Sequence, residues 1–186
     1  MIQIEKELST AKKASIKSAE LLTGKKTSIN NLISNEGRDV KLQADIESEK
    51  IIKNYLKEFS DLPILAEESG ANEHLGSSFW VVDPLDGTSN YSRDFPICCI
   101  SIALIHENKI TLGVINDFNR NIIYEGSTET PAMMNSKVIT VSDVSDKSKA
   151  TLATGLPAKG NFEDKAMHDL AQEFSQWKKV RMIGSA

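Results

Sequence analysis

Trp80-Val81-Val82-Asp83-Pro84-Leu85-Asp86-Gly87-Thr88-Ser89-Asn90-Tyr91 is the stretch from which the rest of the chain can be read. With Phe79, its first three residues form an apolar run that predicts a buried strand over Phe79–Val82, delivering Asp83 at its carboxyl end. Pro84 stops the ladder there, because it has no N–H to donate. Asp86 comes three residues after Asp83, at a turn where both carboxylates can converge. Gly87 permits a backbone conformation that other residues resist. Thr88 and Ser89 then stand where a helix can begin, and the first N–H groups of a helix have no partner within it and attract anions. One short segment thus offers paired hard oxygen ligands beside a phosphate cradle. Carboxylate oxygens with no His or Cys nearby favour Mg²⁺ or Mn²⁺ over zinc. Asp83 could merely end a strand and Asp86 merely open a turn, but the full string is more specific than a turn needs.

Upstream, Pro63-Ile64-Leu65-Ala66 reads as another short buried strand, and Glu67-Glu68-Ser69-Gly70 follows it as Asp83 follows Val82. If the two strands are neighbours, Glu67 stands beside Asp83. The alternative for Glu67 is an exposed acidic loop. Further out, residues 2 to 23 space Ile4, Leu8, Ala11, Ser15, Ala19 and Leu22 as an amphipathic helix, with Gly24 at its stop. Residues 28 to 38 are polar and aperiodic. A second helix is expected from about Ile46 to Phe59, burying Ile52, Tyr55, Leu56 and Phe59, and Asp45 at its start is suited to N-capping.

Beyond Tyr91 the pattern becomes strands: Ile97–Ile105, a turn at His106-Glu107-Asn108, Lys109–Asn116 and Ile122–Glu125. Val138–Val141 and Thr151–Thr154 are weaker candidates. A third helix carries Phe162, Ala166, Leu170, Phe174 and Trp177 on one face, and Val180–Ile183 is a last strand before Gly184-Ser185-Ala186. Helices, then an antiparallel meander, then helix and strand make the class α+β, built in layers.

Composition narrows the function. The chain has 186 residues, 40% hydrophobic and 26% charged, which is ordinary for a folded domain and excludes disorder. No apolar run is long enough to span a membrane, and the lysine-rich N-terminal segment lacks the apolar core of a signal peptide. Net charge is −4, with basic residues only in isolated pairs, so nucleic acid is not an expected ligand. Cys98 and Cys99 are adjacent, so a bond between them would be strained; two buried free thiols in a reducing compartment is the simpler reading. His74, His106 and His168 have no partner at ligand spacing, and Met133-Met134 is read as packing.

Trp80–Tyr91, with Leu65-Ala66-Glu67-Glu68-Ser69 upstream, resembles the inositol monophosphatase family of Mg²⁺-dependent phosphomonoesterases, which belongs with the fructose-1,6-bisphosphatases in a layered αβαβα sugar-phosphatase fold. The resemblance extends to Asp39–Asp45, Phe95-Pro96, Ser101-Ile102-Ala103 and Arg181–Ala186. It implies that Glu67, Asp83 and the Leu85 carbonyl bind a first Mg²⁺, and that Asp83 and Asp86 hold a second. Leu85, Asp86, Gly87 and Thr88 would contact the phosphate. Thr88 would pair with Asp45 to position and activate the attacking water, and Gly184, Ser185 and Ala186 would touch the alcohol. Two or three Mg²⁺ ions are implied, with Mn²⁺ as a substitute, Li⁺ as an inhibitor, a cytoplasmic homodimer and a small phosphorylated polyol or sugar as substrate.

The chain departs from the family in three places. Lys41-Leu42 stand where Val-Thr is usual, residues 127 to 135 lack the usual glycine-rich hairpin, and the family's Trp-Asp pair, which completes the second metal site, is absent. The expected organisation is therefore residues 1–130 as an α+β unit carrying the metal and phosphate site, and 131–186 as the start of a truncated second α/β unit with an incomplete second-metal site and at most small residual activity. Rivals in the same superfamily are a 3′(2′),5′-bisphosphate nucleotidase, which tends to carry Lys-Glu where this chain has Ser89-Asn90, and a fructose-1,6-bisphosphatase. A rival of another class is a truncated, non-catalytic binding or regulatory protein.

Overall fold

The computed structural model describes residues 2–36, 39–71, 74–156 and 163–185. Helix α1 (Ile4–Gly24) is followed by a single turn, α2 (Lys26–Ile29), a hairpin of β1 (Leu32–Glu36) and β2 (Asp39–Leu42), and helix α3 (Gln43–Phe59). Strands β3 (Ile64–Ala66), β4 (Gly70–Ala71) and β5 (Ser78–Asp86) precede the short helix α4 (Thr88–Ser92). The meander is β6 (Cys99–His106), β7 (Lys109–Asp117), β8 (Ile122–Ser127), β9 (Met133–Met134) and β10 (Lys137–Val138). Strand β11 (Thr151–Thr154), helix α5 (Asp164–Ser175) and strand β12 (Lys179–Met182) come last.

An eight-stranded sheet in the order β10-β9-β8-β7-β6-β5-β3-β4 forms the centre. It is antiparallel from β10 to β5, as the meander predicts, while β3 lies parallel to β5 with Ala66 opposite Val82. Helices α1 and α3 cover the sheet. Small residues on α1, namely Ala11, Ala14, Ser15 and Ser18, are buried and let the layers approach closely. Trp80, Ile100, Ile102 and Leu104 from the central strands and Ile52 and Leu56 from α3 fill the space between, each fully buried; burying a side chain of this size contributes roughly 1.5–3 kcal/mol. A separate parallel pair, β11–β12, is joined through α5 as a βαβ unit. The class is α+β in layers.

Several local expectations are corrected. The strand carrying Asp83 does not end at Pro84 but continues to Asp86. Asp83 pairs with Ser101 and Asp86 with Cys99, so three steps on β5 oppose two on β6. That extra residue is a bulge, which is where a strand tolerates a residue without N–H. Helix α3 begins at Gln43, so Asp45 is its third residue, and it caps the helix from there by accepting the Leu42 N–H. Residues 28 to 38 are not featureless, since they supply the end of α2 and the strand β1, whose pairing with β2 is carried by the backbone and needs no apolar alternation. Phe59 is 40% exposed and stacks on half-buried Tyr55 with ring centroids 4.7 Å apart. Met133-Met134 is a short strand paired to β8, and β10 stops at Val138. Trp177 lies past the end of α5, and Phe162 is outside the described residues.

Candidate metal and phosphate site

The parallel pairing of β3 with β5 decides the site's geometry. With Ala66 opposite Val82, the next residues, Glu67 and Asp83, leave the two strands side by side. The Glu67 N–H donates to the Val82 carbonyl at 3.0 Å, which locks that register. The two side chains share a hydrogen bond. Burial, that bond and the charges of Glu67 and Asp86 together push the Asp83 carboxyl well above the usual carboxylate range. The Leu85 N–H donates to Asp83 Oδ1 at 3.1 Å.

Gly87 turns the chain into α4. Its φ is +87°, and a side chain there would put Cβ 2.9 Å from the Ile97 carbonyl oxygen and 3.1 Å from Ser185 Cβ. Glycine is therefore required both by backbone angle and by close approach. Thr88 follows at the start of α4, and its Oγ1 lies 2.8 Å from Asp45 Oδ1 and 3.0 Å from the Leu85 carbonyl. A hydroxyl has one proton, so it donates to one of these at a time. Asp45 is almost fully buried; its other oxygen accepts the Leu42 N–H at 2.7 Å. Capping and the pairing with Thr88 thus use different oxygens of one carboxylate. Burial pushes its carboxyl up to about 6, against the lowering effect of both hydrogen bonds.

The segment after β12 closes the site. Ser185 Oγ donates to Asp86 Oδ2 at 2.6 Å, and Asn90 Nδ2 donates to the carbonyls of Ile183 and Ile97, each at 2.7 Å. Gly184 takes φ +68° beside the Asn90 amide. Ala186 lies outside the described residues. Tyr91, fully buried, donates from its hydroxyl to the Leu22 carbonyl at 2.7 Å and anchors α4 to the end of α1.

Sequence reasoning missed the groups that hold these segments together. One face of α3 presents Asp45, Ser48 and Glu49, at the i, i+3, i+4 spacing of a helix. Asp45 holds Thr88, Ser48 donates to the Pro84 carbonyl at 2.7 Å, and Glu49 Oε2 accepts the Glu68 N–H at 2.9 Å. Lys41 pairs with Glu68, and Lys53 Nζ donates to Ser69 Oγ at 2.7 Å, so the turn after β3 is tied to β2 and α3. The departure at Lys41 from the family's usual residue was the visible signal for the first of these pairs; Ser48 carried none.

Among the described residues no three His, Cys, Asp or Glu side chains stand at metal-holding spacing. Glu67 and Asp83 stand side by side, with the Asp83 carboxyl pushed up by burial and by the hydrogen bond and charge of Glu67. The donor chemistry fits a hard divalent ion. Cys99, whose Sγ is 3.5 Å from Asp86 Oδ2, is buried and its thiol is pushed up to about 12, so it offers no soft thiolate at neutral pH.

The sequence profile of the inositol monophosphatase family matches residues 3–186. This chain belongs to that family. It is 36% identical over 127 residues to an inositol-1-monophosphatase of Synechocystis, covering 66% of this chain and 44% of that one. It is 38% identical over 128 residues to a Nus factor SuhB of Xylella fastidiosa, covering 67% and 46%. The fold superposes on the inositol monophosphatase of Anabaena with a TM-score of 0.79 at 28% identity, covering 97% of this chain and 68% of that one. A SuhB structure from Bartonella henselae gives 0.83 at 26% identity, covering 96% and 70%. The match to the curated inositol monophosphatase family relatives spans about half of their length.

Proposed function

We propose that the protein is a Mg²⁺-dependent phosphomonoesterase acting on inositol monophosphate or a similar polyol or sugar phosphate. The observation that carries this reading is the Thr88–Asp45 pair, 2.8 Å apart, next to the convergent carboxylates of Glu67 and Asp83. Glu67, Asp83, the Leu85 carbonyl and Asp86 would hold the ions. Bound there, Mg²⁺ supplies positive charge to the phosphoryl oxygens and lowers the pKa of a coordinated water. The chain's own residues do the rest. The Thr88 hydroxyl donates to Asp45, which leaves its lone pairs to accept a hydrogen bond from water and so orient it; as the water's proton passes to Thr88 Oγ1, the hydroxyl proton passes to Asp45 Oδ1. Asp45, with its carboxyl near 6, is ionised at neutral pH yet close enough to it to act as a base. Gly87 and Thr88 N–H groups would serve the phosphate, and Gly184, Ser185 and Ala186 would be the residues for the alcohol. A two-unit organisation, in which the central sheet runs on through β10 past residue 130 and β11, α5 and β12 open the second unit, and a cytoplasmic homodimer belong to the same proposal.

Phosphate release from inositol monophosphate, fructose 1,6-bisphosphate and a 3′,5′-bisphosphate nucleotide, with and without Mg²⁺, tests it. Mg²⁺-dependent release that is greatest with inositol monophosphate and lost in Asp83→Asn is expected. Release insensitive to Mg²⁺ or to the substitution overturns the reading.

The relatives named Nus factor SuhB favour a second reading, in which the chain binds a macromolecular partner without catalysis. Stable complex formation by a protein lacking any phosphatase activity would decide for it.

A further inference from the structure

The peptide unit that joins Pro84 to Leu85 is held at both edges. Its carbonyl accepts from Ser48 Oγ at 2.7 Å, and its N–H donates to Asp83 Oδ1 at 3.1 Å. A trans peptide is planar, with C=O and N–H pointing in opposite directions. One edge therefore faces α3 and the other faces the carboxylate cluster. Turning the carbonyl away from Ser48 turns the N–H that orients Asp83.

Ser48 is itself part of a directed chain. Its Oγ lies 2.6 Å from Ser18 Oγ on α1, and both side chains are fully buried. Because the single proton of Ser48 goes to Pro84, Ser18 is the donor to Ser48. Each bond in Ser18 O–H to Ser48 O–H to Pro84 C=O polarises the next. Apart from accepting the buried Ser18 hydroxyl, the Ser48 side chain has no polar contact among the described residues but the Pro84 carbonyl. Alanine is the better helix former, and Ala14 and Ala44 show that fully buried alanine suits these same helices. The hydroxyl is the distinguishing feature, and its use is to pin the bulge between Asp83 and Asp86.

We propose that Ser48 is a positioning residue for the divalent-ion site: through the rigid Pro84–Leu85 peptide it aims the Asp83 carboxylate, a role that rests on the metal reading given above. Ser48 touches neither ion nor substrate.

Calorimetric titration of Mn²⁺ into wild type, Ser48→Ala and Ser18→Ala tests this, with thermal melts of the metal-free proteins alongside. Ser48→Ala is expected to weaken Mn²⁺ binding about tenfold or more, the range seen when a partner orienting a metal ligand is removed. Ser18→Ala leaves the bond from Ser48 to Pro84 in place and is expected to bind within about twofold of wild type, although it too loses a buried hydroxyl. Lost packing or stability alone would not separate the two variants in this way. Wild-type affinity in Ser48→Ala, or equal losses in both variants, overturns the proposal. If Ser48→Ala does not fold, Ser48→Cys replaces it; its thiol is a weak donor, so a loss of about threefold or more is expected and undiminished affinity overturns the proposal. A wild-type protein that takes up no Mn²⁺ overturns the metal reading and this one with it, an outcome distinct from variants that match a wild type that binds.

Discussion

Thr88 Oγ1 and Asp45 Oδ1 are 2.8 Å apart although 43 positions separate them in sequence. The contact joins the start of α4 to the first turn of α3, and it brings the proton-accepting group proposed for water activation to the edge of the proposed ion site. Thr88→Ala should therefore lower kcat by roughly 10²-fold or more while leaving Mn²⁺ affinity within a few-fold, since general-base assistance is worth about 10²–10⁴. Steady-state kinetics beside calorimetry check it; unchanged kcat would reduce Thr88 to a helix-terminus residue.

Asp45 also makes stability depend on pH. Its folded carboxyl is pushed up to about 6 from 3.8. The folded state therefore binds more proton than the unfolded state between those values, and stability falls as pH rises through that window. The loss is roughly 3 kcal/mol at about 1.4 kcal/mol per pH unit. Asp45→Asn should remove this part of the pH dependence. Urea unfolding of both proteins at pH 4 and pH 7 gives the difference directly, and parallel pH profiles would contradict the assignment.

Asp83 bears on the metal itself. Without a divalent ion its carboxyl is held up to about 8 by burial and by Glu67, so at neutral pH Asp83 retains its proton. A divalent ion displaces that proton. Mn²⁺ binding at pH 7 is expected to release the Asp83 proton, with apparent affinity rising with pH. Calorimetry in two buffers of different ionisation enthalpy measures the release. The sign for folding follows: without metal, stability attributable to Asp83 is lost as pH rises through its elevated pKa, and Mn²⁺ restores it.

Gly87 and Gly70 both take positive φ, but only Gly87 has neighbours where a Cβ would sit. Gly70→Ala should cost about 1 kcal/mol from backbone conformation alone, whereas Gly87→Ala should cost at least ~2 kcal/mol more because the Ile97 carbonyl is backbone and cannot swing aside. Thermal denaturation of both variants separates strain from crowding, and equal costs would mean the bulge and α4 yield to the added methyl.

The residues that touch the proposed ions and phosphate are legible in the sequence because each leaves a local mark. Asp83 ends an apolar run, Gly87 punctuates a turn, and Glu67 follows a second apolar run. Their convergence was legible only conditionally, since it depends on β3 pairing with β5, a long-range fact that no window of sequence contains. Pro84 misled for a physical reason: a missing N–H stops a regular ladder but not a bulged one, and a bulge has no sequence signature here. Ser48 and Glu49 were invisible for another. A serine or glutamate on an amphipathic helix looks like any other polar residue until the backbone group it serves, 36 and 19 positions away, is known. The β1–β2 hairpin escaped because its pairing is made by backbone groups that every residue has.

Helix α3 acts as a ruler for the site. Asp45, Ser48 and Glu49 each grip a different segment, and their angular phase on the helix matches the spacing of those segments. Inserting one residue after Asp45 would rotate everything that follows by about 100° and advance it by about 1.5 Å. Ser48 and Glu49 would then face away from Pro84 and Glu68 while Asp45 stayed in place. Single-residue insertions or deletions in this first turn should thus be far less tolerated than substitutions at the same positions, and length changes should be confined to the loops between strands, where no such phase has to be kept.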